Sequence, residues 1–187
     1  PEPPHVSLAD YLLDLQHLLI HLHAEKVWLI GHSLGARVST VFAALFPEKV
    51  ERLVLLDGFY RLHTGSDWMV RLKRFLREST EILKPRPTVD ADRLARFFVR
   101  QTPGMSETFA RYLGEKSHII LPDGAPVADW QEWHNRTTPV SFPDAFMQDA
   151  VDRLQCPTLA IQTEETPVGF VELSPFNPVV SVVHLRA

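Results

Sequence analysis

Apolar residues first recur at helical spacing: Leu8, Tyr11, Leu12, Leu15, Leu18, Leu19 and Leu22 share a stripe, with Asp10, Asp14, His17 and His21 on the opposite face. Ser7-Leu8-Ala9-Asp10 has the form of a capping box. The pattern predicts an amphipathic helix over 8–23. Lys26-Val27-Trp28-Leu29-Ile30 then forms a short apolar run that stops at Gly31, as a strand buried on both faces would. From Leu34 the helical period returns through Val38, Val41, Phe42 and Leu45, and Pro47 stands just past its end. Arg52-Leu53-Val54-Leu55-Leu56 is a second buried-strand pattern, which a right-handed crossover through the helix at 34–46 would set parallel to the first. Thr158-Leu159-Ala160-Ile161-Gln162 is a third. The run 178–185 is a fourth, with proline at its first position, where no ladder donor is lost.

Between Asp57 and Cys156 the pattern changes to a stretch rich in Arg, Phe, Trp and Pro. It contains helical periodicities at about 67–83, 90–101 and 106–116, punctuated by Pro85, Pro87, Pro103 and Pro122. The fold class expected is α/β, with a mainly parallel sheet, flanking helices and a helical cap insertion. The organisation expected is a core at 1–57, the cap at 58–153 and the core resumed at 154–187.

Composition narrows the function classes. The 187 residues carry 19 basic and 23 acidic side chains, interspersed, for a net charge of -4, so no basic stripe invites nucleic acid. The single cysteine, Cys156, excludes an internal disulfide and a Cys-rich zinc site and suits a reducing, cytoplasmic setting. No apolar run reaches membrane-span length. His17, His21 and His23 have spacings that could suggest a metal, because residues four apart, as 17 and 21 are, share a helix face, but acidic neighbours on a wet face explain them, and no metal is expected.

The chemistry concentrates in Gly31-His32-Ser33-Leu34-Gly35, between a strand and a helix. A nucleophilic serine must present its hydroxyl clear of the backbone, beside a base and amide donors, and a sharp strand-to-helix turn does this. Gly31 and Gly35 are expected where strand and helix backbones come close. The Leu34 amide, in the first helical turn, would face the oxyanion formed when Ser33 attacks a carbonyl, aided by the helix dipole.

The segments 27–36 and 46–57, with Cys156-Pro157-Thr158-Leu159-Ala160-Ile161, resemble the α/β-hydrolase fold superfamily, and the layout of the insertion is similar to that of serine hydrolase-like proteins. The resemblance implies a Ser, acid, His triad in chain order and an acyl-enzyme route on a small-molecule ester or amide, without metal or organic cofactor. The family acid usually follows the strand matched by 158–162, yet Thr166 stands at that position, with Glu165 one residue earlier. Asp57, at the end of the preceding strand, is the rival, because some family members place the acid there. The resemblance puts the histidine in a Gly-His loop beyond the last strand. His184 reads as a strand residue, and His5 has no glycine beside it to replace the family's His-Gly oxyanion loop. The chain is therefore expected to be a fragment, inactive in isolation, of an active parent enzyme.

Trp130 and Trp133 are expected to line a substrate pocket under the cap, whereas Phe97, Phe98 and Phe109 read as cap core. A noncatalytic binding protein on the same scaffold is the alternative function.

Overall fold

The computed structural model describes residues 7–58, 68–80, 87–129, 144–163 and 177–185. These divide into two compact units, one from the described residues of 6–73 and 138–187 and the other from those of 74–137.

The first unit is built on a parallel sheet. Its strands are β1 (Val27–His32), β2 (Val50–Leu56), β5 (Thr158–Thr163) and β6 (Val180–Leu185), in the order β1-β2-β5-β6. Every pairing is parallel, with Leu29 opposite Leu53, Leu55 opposite Ala160 and Gln162 opposite His184. Helix α1 (Leu8–His21) starts at the expected capping box, where the Ser7 amide donates to Asp10 Oδ2 at 2.7 Å and the Asp10 amide to Ser7 Oγ at 3.4 Å. Helix α2 (Leu34–Leu45) touches β1 and β2 and is buried from Ala36 to Ala43. The last helix of this unit, α6 (Asp144–Asp152), packs on α2 through Met147, Ala150 and Val151, although its place in the chain lies within the expected insertion.

The largest fully buried side chains of this core are Phe42, Leu53, Leu55, Val50 and Val151. Completely burying each such side chain contributes roughly 1.5–3 kcal/mol. The expectation that the first strand is buried on both faces fails: Trp28 and Ile30 are 65% and 72% exposed. Side chains alternate along a strand, and α2 contacts the face that carries Val27 and Leu29. Arg52, the register partner of Trp28, sets its guanidinium 5.2 Å from the indole centroid on the open face.

Asn177 joins the end of α6 to the start of β6. Its Nδ2 donates to the carbonyls of Val151 at 2.8 Å and Leu154 at 3.1 Å, while its Oδ1 accepts from the Val179 amide at 3.1 Å. Asn177→Ala removes the side-chain partner of the Leu154 carbonyl and the Val179 amide, while the Val151 carbonyl keeps the Leu154 amide at 3.1 Å. It is expected to cost about 1–3 kcal/mol, read as a lower urea midpoint at unchanged slope. An unchanged midpoint would show that water replaces the amide at no cost.

The second unit contains α4 (Ala91–Gln101) and α5 (Glu107–Lys116), N-capped by Asp90 and Ser106, whose side chains accept from the amides of Arg93 and Phe109. Helix α3 (Trp68–Thr80) spans the boundary between the units. The close approach of α4 and α5 is made by small residues: Ala95 and Ala110 are buried, and a Cβ on Gly114 would collide with the Ala91 carbonyl. Phe97 and Phe109, expected in the cap core, are instead 39% and 52% exposed, because backbones packed this closely leave no room for an aromatic ring. A hairpin of β3 (His118–Ile120) and β4 (Pro126–Ala128) follows, with Gly124 at φ 84° and Asp123 Oδ1 accepting from the Ala125 amide. The sequence pattern has Pro122 only as punctuation between helices and predicts no hairpin, although Pro122-Asp123-Gly124 has turn-forming composition. Among the described residues, no helix is long and apolar enough to cross a membrane.

Candidate active site

Ser33 joins β1 to α2 with φ 51° and ψ -116°. A non-glycine residue in that region carries strain on the order of 1–3 kcal/mol, which persists only where the surroundings over-determine it. Here they do. The Ser33 amide donates to the Leu56 carbonyl at 2.9 Å, its own carbonyl accepts from Ala36 at 3.1 Å, and buried α2 fixes the far side. Leu34 is the first residue of α2, where an amide has no helical carbonyl four residues back and the dipole favours negative charge. His32 is exposed at the end of β1.

The two glycines of the motif have different roles. A Cβ on Gly31 would collide with the Gly35 carbonyl oxygen and lie 2.6 Å from its carbon and 2.7 Å from the Ala36 nitrogen, so the turn closes only over glycine there. Among the described residues, a Cβ on Gly35 would meet nothing within 4 Å, so the close approach expected at both glycines bars a side chain at position 31 alone. The approach is one-sided, because the Cβ direction of Gly31 runs into the helix backbone whereas that of Gly35 leaves it.

Asp57 follows β2 with φ 48°, a left-handed conformation that aspartate tolerates better than most residues. His32 and Leu56 are register partners, so Ser33 and Asp57 leave adjacent strands side by side. The Asp57 amide donates to the Ile161 carbonyl of β5 at 2.9 Å. The carboxyl ends of β1, β2 and β5 therefore lie in a row, the edge at which open α/β sheets hold their sites. The exit of β5 is one strand farther from Ser33 than Asp57 is, about 4.8 Å more. Glu165, Trp130 and Trp133 lie outside the described residues. His184 is a strand residue, paired with Gln162 in the β5–β6 ladder.

Two further residues belong to this corner. Gly58 is buried, and a Cβ there would collide with that of Ala36 and lie 2.8 Å from the Ser33 carbonyl. Arg37, 9% exposed, donates from Nε to the Gly58 carbonyl at 3.2 Å. The signal for Arg37 was present in the sequence, since no other charge interrupts Leu34–Leu45.

A model of the alpha/beta hydrolase fold matches residues 1–170. A serine hydrolase-like protein of Danio rerio is 41% identical over 72 residues, 38% of this chain and 22% of that protein. A homoserine O-acetyltransferase of Thermus thermophilus is 30% identical over 128 residues, 60% of this chain and 34% of that protein. The matches thus span about a fifth and a third of those relatives' lengths. Among solved structures, the thioesterase domain from the curacin biosynthetic pathway superposes with a TM-score of 0.80 at 18% identity, covering 98% of this chain and 68% of that one. With the family match spanning nearly the whole sequence, and the parallel sheet and strand-to-helix turn already in place, the chain belongs to the alpha/beta hydrolase fold family.

Proposed function

We propose that this protein hydrolyses carboxylic esters through an acyl-enzyme on Ser33, with the Leu34 amide as one oxyanion donor and Asp57 as the triad acid. The observation that carries the reading is the strained backbone of Ser33 at the head of α2. A binding scaffold has no use for that strain, whereas a nucleophile needs a hydroxyl held clear of the backbone at the head of a helix. Asp57 is preferred to Glu165 because it leaves the strand next to the elbow. The acyl chemistry named in a thioesterase domain and an O-acetyltransferase among the relatives supports the same reading.

In this mechanism Ser33 Oγ attacks the ester carbonyl carbon, and a histidine, expected from the family after β6, takes its proton and passes it to the departing alkoxide. Water then attacks the acyl-Ser33 carbonyl by the reverse proton route and frees the acid. Asp57 holds that histidine in its productive tautomer. Tryptophans 130 and 133 would line the acyl pocket.

The test is labelling by a fluorophosphonate of the protein expressed from its complete coding sequence, followed by peptide mass spectrometry. Labelling at Ser33, slowed about 10³-fold or more by Asp57→Asn and little changed by Glu165→Gln, is expected. The reverse ranking assigns the acid to Glu165. Absence of label at Ser33 would leave the noncatalytic reading.

A further inference from the structure

Arg37 stands one helical turn after Ser33, and a helical side chain leans back toward the N-terminus of its helix, here toward the elbow. The residue as a whole is only 9% exposed. Desolvating a cation is costly, and an apolar side chain of similar volume would fill the space more cheaply, so the cation calls for an explanation beyond packing. Its Nε donates to the Gly58 carbonyl at 3.2 Å.

The segment 56–58 is held by a different element at each residue. The Leu56 carbonyl accepts from the elbow amide of Ser33, the Asp57 amide donates to β5, and the Gly58 carbonyl accepts from Arg37 on α2. Of these three bonds the last is made by a side chain, so it is the one a substitution can remove. Gly58 lies against Ala36 and the Ser33 carbonyl. A shift of its carbonyl therefore moves Asp57, at φ 48°, relative to Ser33.

We propose that Arg37 is a positioning residue that pins the Asp57–Gly58 turn to the nucleophile helix and thereby sets the distance between the acid and Ser33. The proposal rests on the reading of Asp57 as the triad acid. Misplacing a reacting group by about 1 Å can cost about 10²-fold in rate, so a single backbone tie has a measurable output.

The test is a kinetic cycle on a p-nitrophenyl ester with the protein from its complete coding sequence, using Arg37→Met, Arg37→Lys, Asp57→Asn and the Arg37→Met/Asp57→Asn double variant. Arg37→Met is expected to lower kcat by about 10–100-fold with KM within about twofold. Arg37→Lys, which keeps a charged donor, is expected to recover at least a third of the lost rate. Combined with Asp57→Asn, Arg37→Met should add little, because the group it positions is already disabled. An unchanged kcat in Arg37→Met beside a crippled Asp57→Asn overturns the positioning role alone, as do losses that multiply in the double variant. An active Asp57→Asn overturns the proposal through its premise. If Arg37→Met does not fold, Arg37→Lys alone and combined with Asp57→Asn carries the same comparison.

Discussion

Replacing Ser33 by glycine is expected to remove ester turnover, by about 10⁴-fold or more, while making the protein more stable by about 1 kcal/mol. Loss of rate follows from loss of the attacking oxygen. Gain in stability follows from the backbone: at φ 51° and ψ -116° a residue with a Cβ is strained, and glycine adopts positive φ freely. Glycine returns part of that gain as extra entropy of the unfolded chain, which sets the net effect near the lower end of the strain range. Ser33→Ala separates the two consequences, because it deletes the same oxygen but retains the Cβ and its strain. Initial rates on an ester and urea unfolding of the three proteins provide the measurement. If Ser33→Gly unfolds no later than Ser33→Ala, no strain is stored at the turn. If either variant keeps its turnover, the nucleophile lies elsewhere.

Gly31→Ala and Gly35→Ala should differ by several kcal/mol despite their symmetric places in the motif. The methyl group added at position 31 meets backbone atoms of Gly35 and Ala36 well inside contact distance, and backbone cannot rotate out of the way as a side chain can. The strand and the helix must separate, and overpacking of this kind costs about 3 kcal/mol or more. At position 35 the methyl group meets none of the described residues, and alanine is the better helix former by about 0.8–1.0 kcal/mol. Gly35→Ala is therefore expected to keep or raise the urea midpoint, with Gly31→Ala unfolding early or accumulating as insoluble chain. Equal midpoints in the two variants would sink this account of the elbow.

Much of the fold was legible because its signals are local. A capping box, a run of β-branched and apolar residues ending at glycine, and a helical stripe each depend on residues within a few positions of one another. Accordingly α1, β1, α2, β2 and β5 lie within a few residues of their expected limits. The β3–β4 hairpin had its own local signal in Pro122-Asp123-Gly124, but its strands are too short for their periodicity to stand out. Helix α6 was not among the expected elements although Met147, Ala150, Val151 and Leu154 have the i, i+3, i+4, i+7 spacing of a helical face, because the expected insertion covered the whole stretch from 58 to 153. The structure buries that face in the core of the first unit.

At the site, the sequence by itself determined the chemistry that is available: a serine between a strand and a helix, a following amide, and carboxylates at Asp57 and Glu165. Spacing also determined that the sheet would be parallel, since a short helical crossover between two apolar runs permits little else. Tertiary structure decided at which of two identical glycines a side chain would collide with backbone, which carboxylate leaves the strand beside Ser33, and that a buried arginine of α2 reaches the Gly58 carbonyl. The physical reason is that each of these depends on the direction in which a Cβ, a carbonyl or a guanidinium points across a gap between elements. Gly58 is 25 positions from Ser33 along the chain yet within contact of its carbonyl, and that closeness exists only after β1 and β2 have paired.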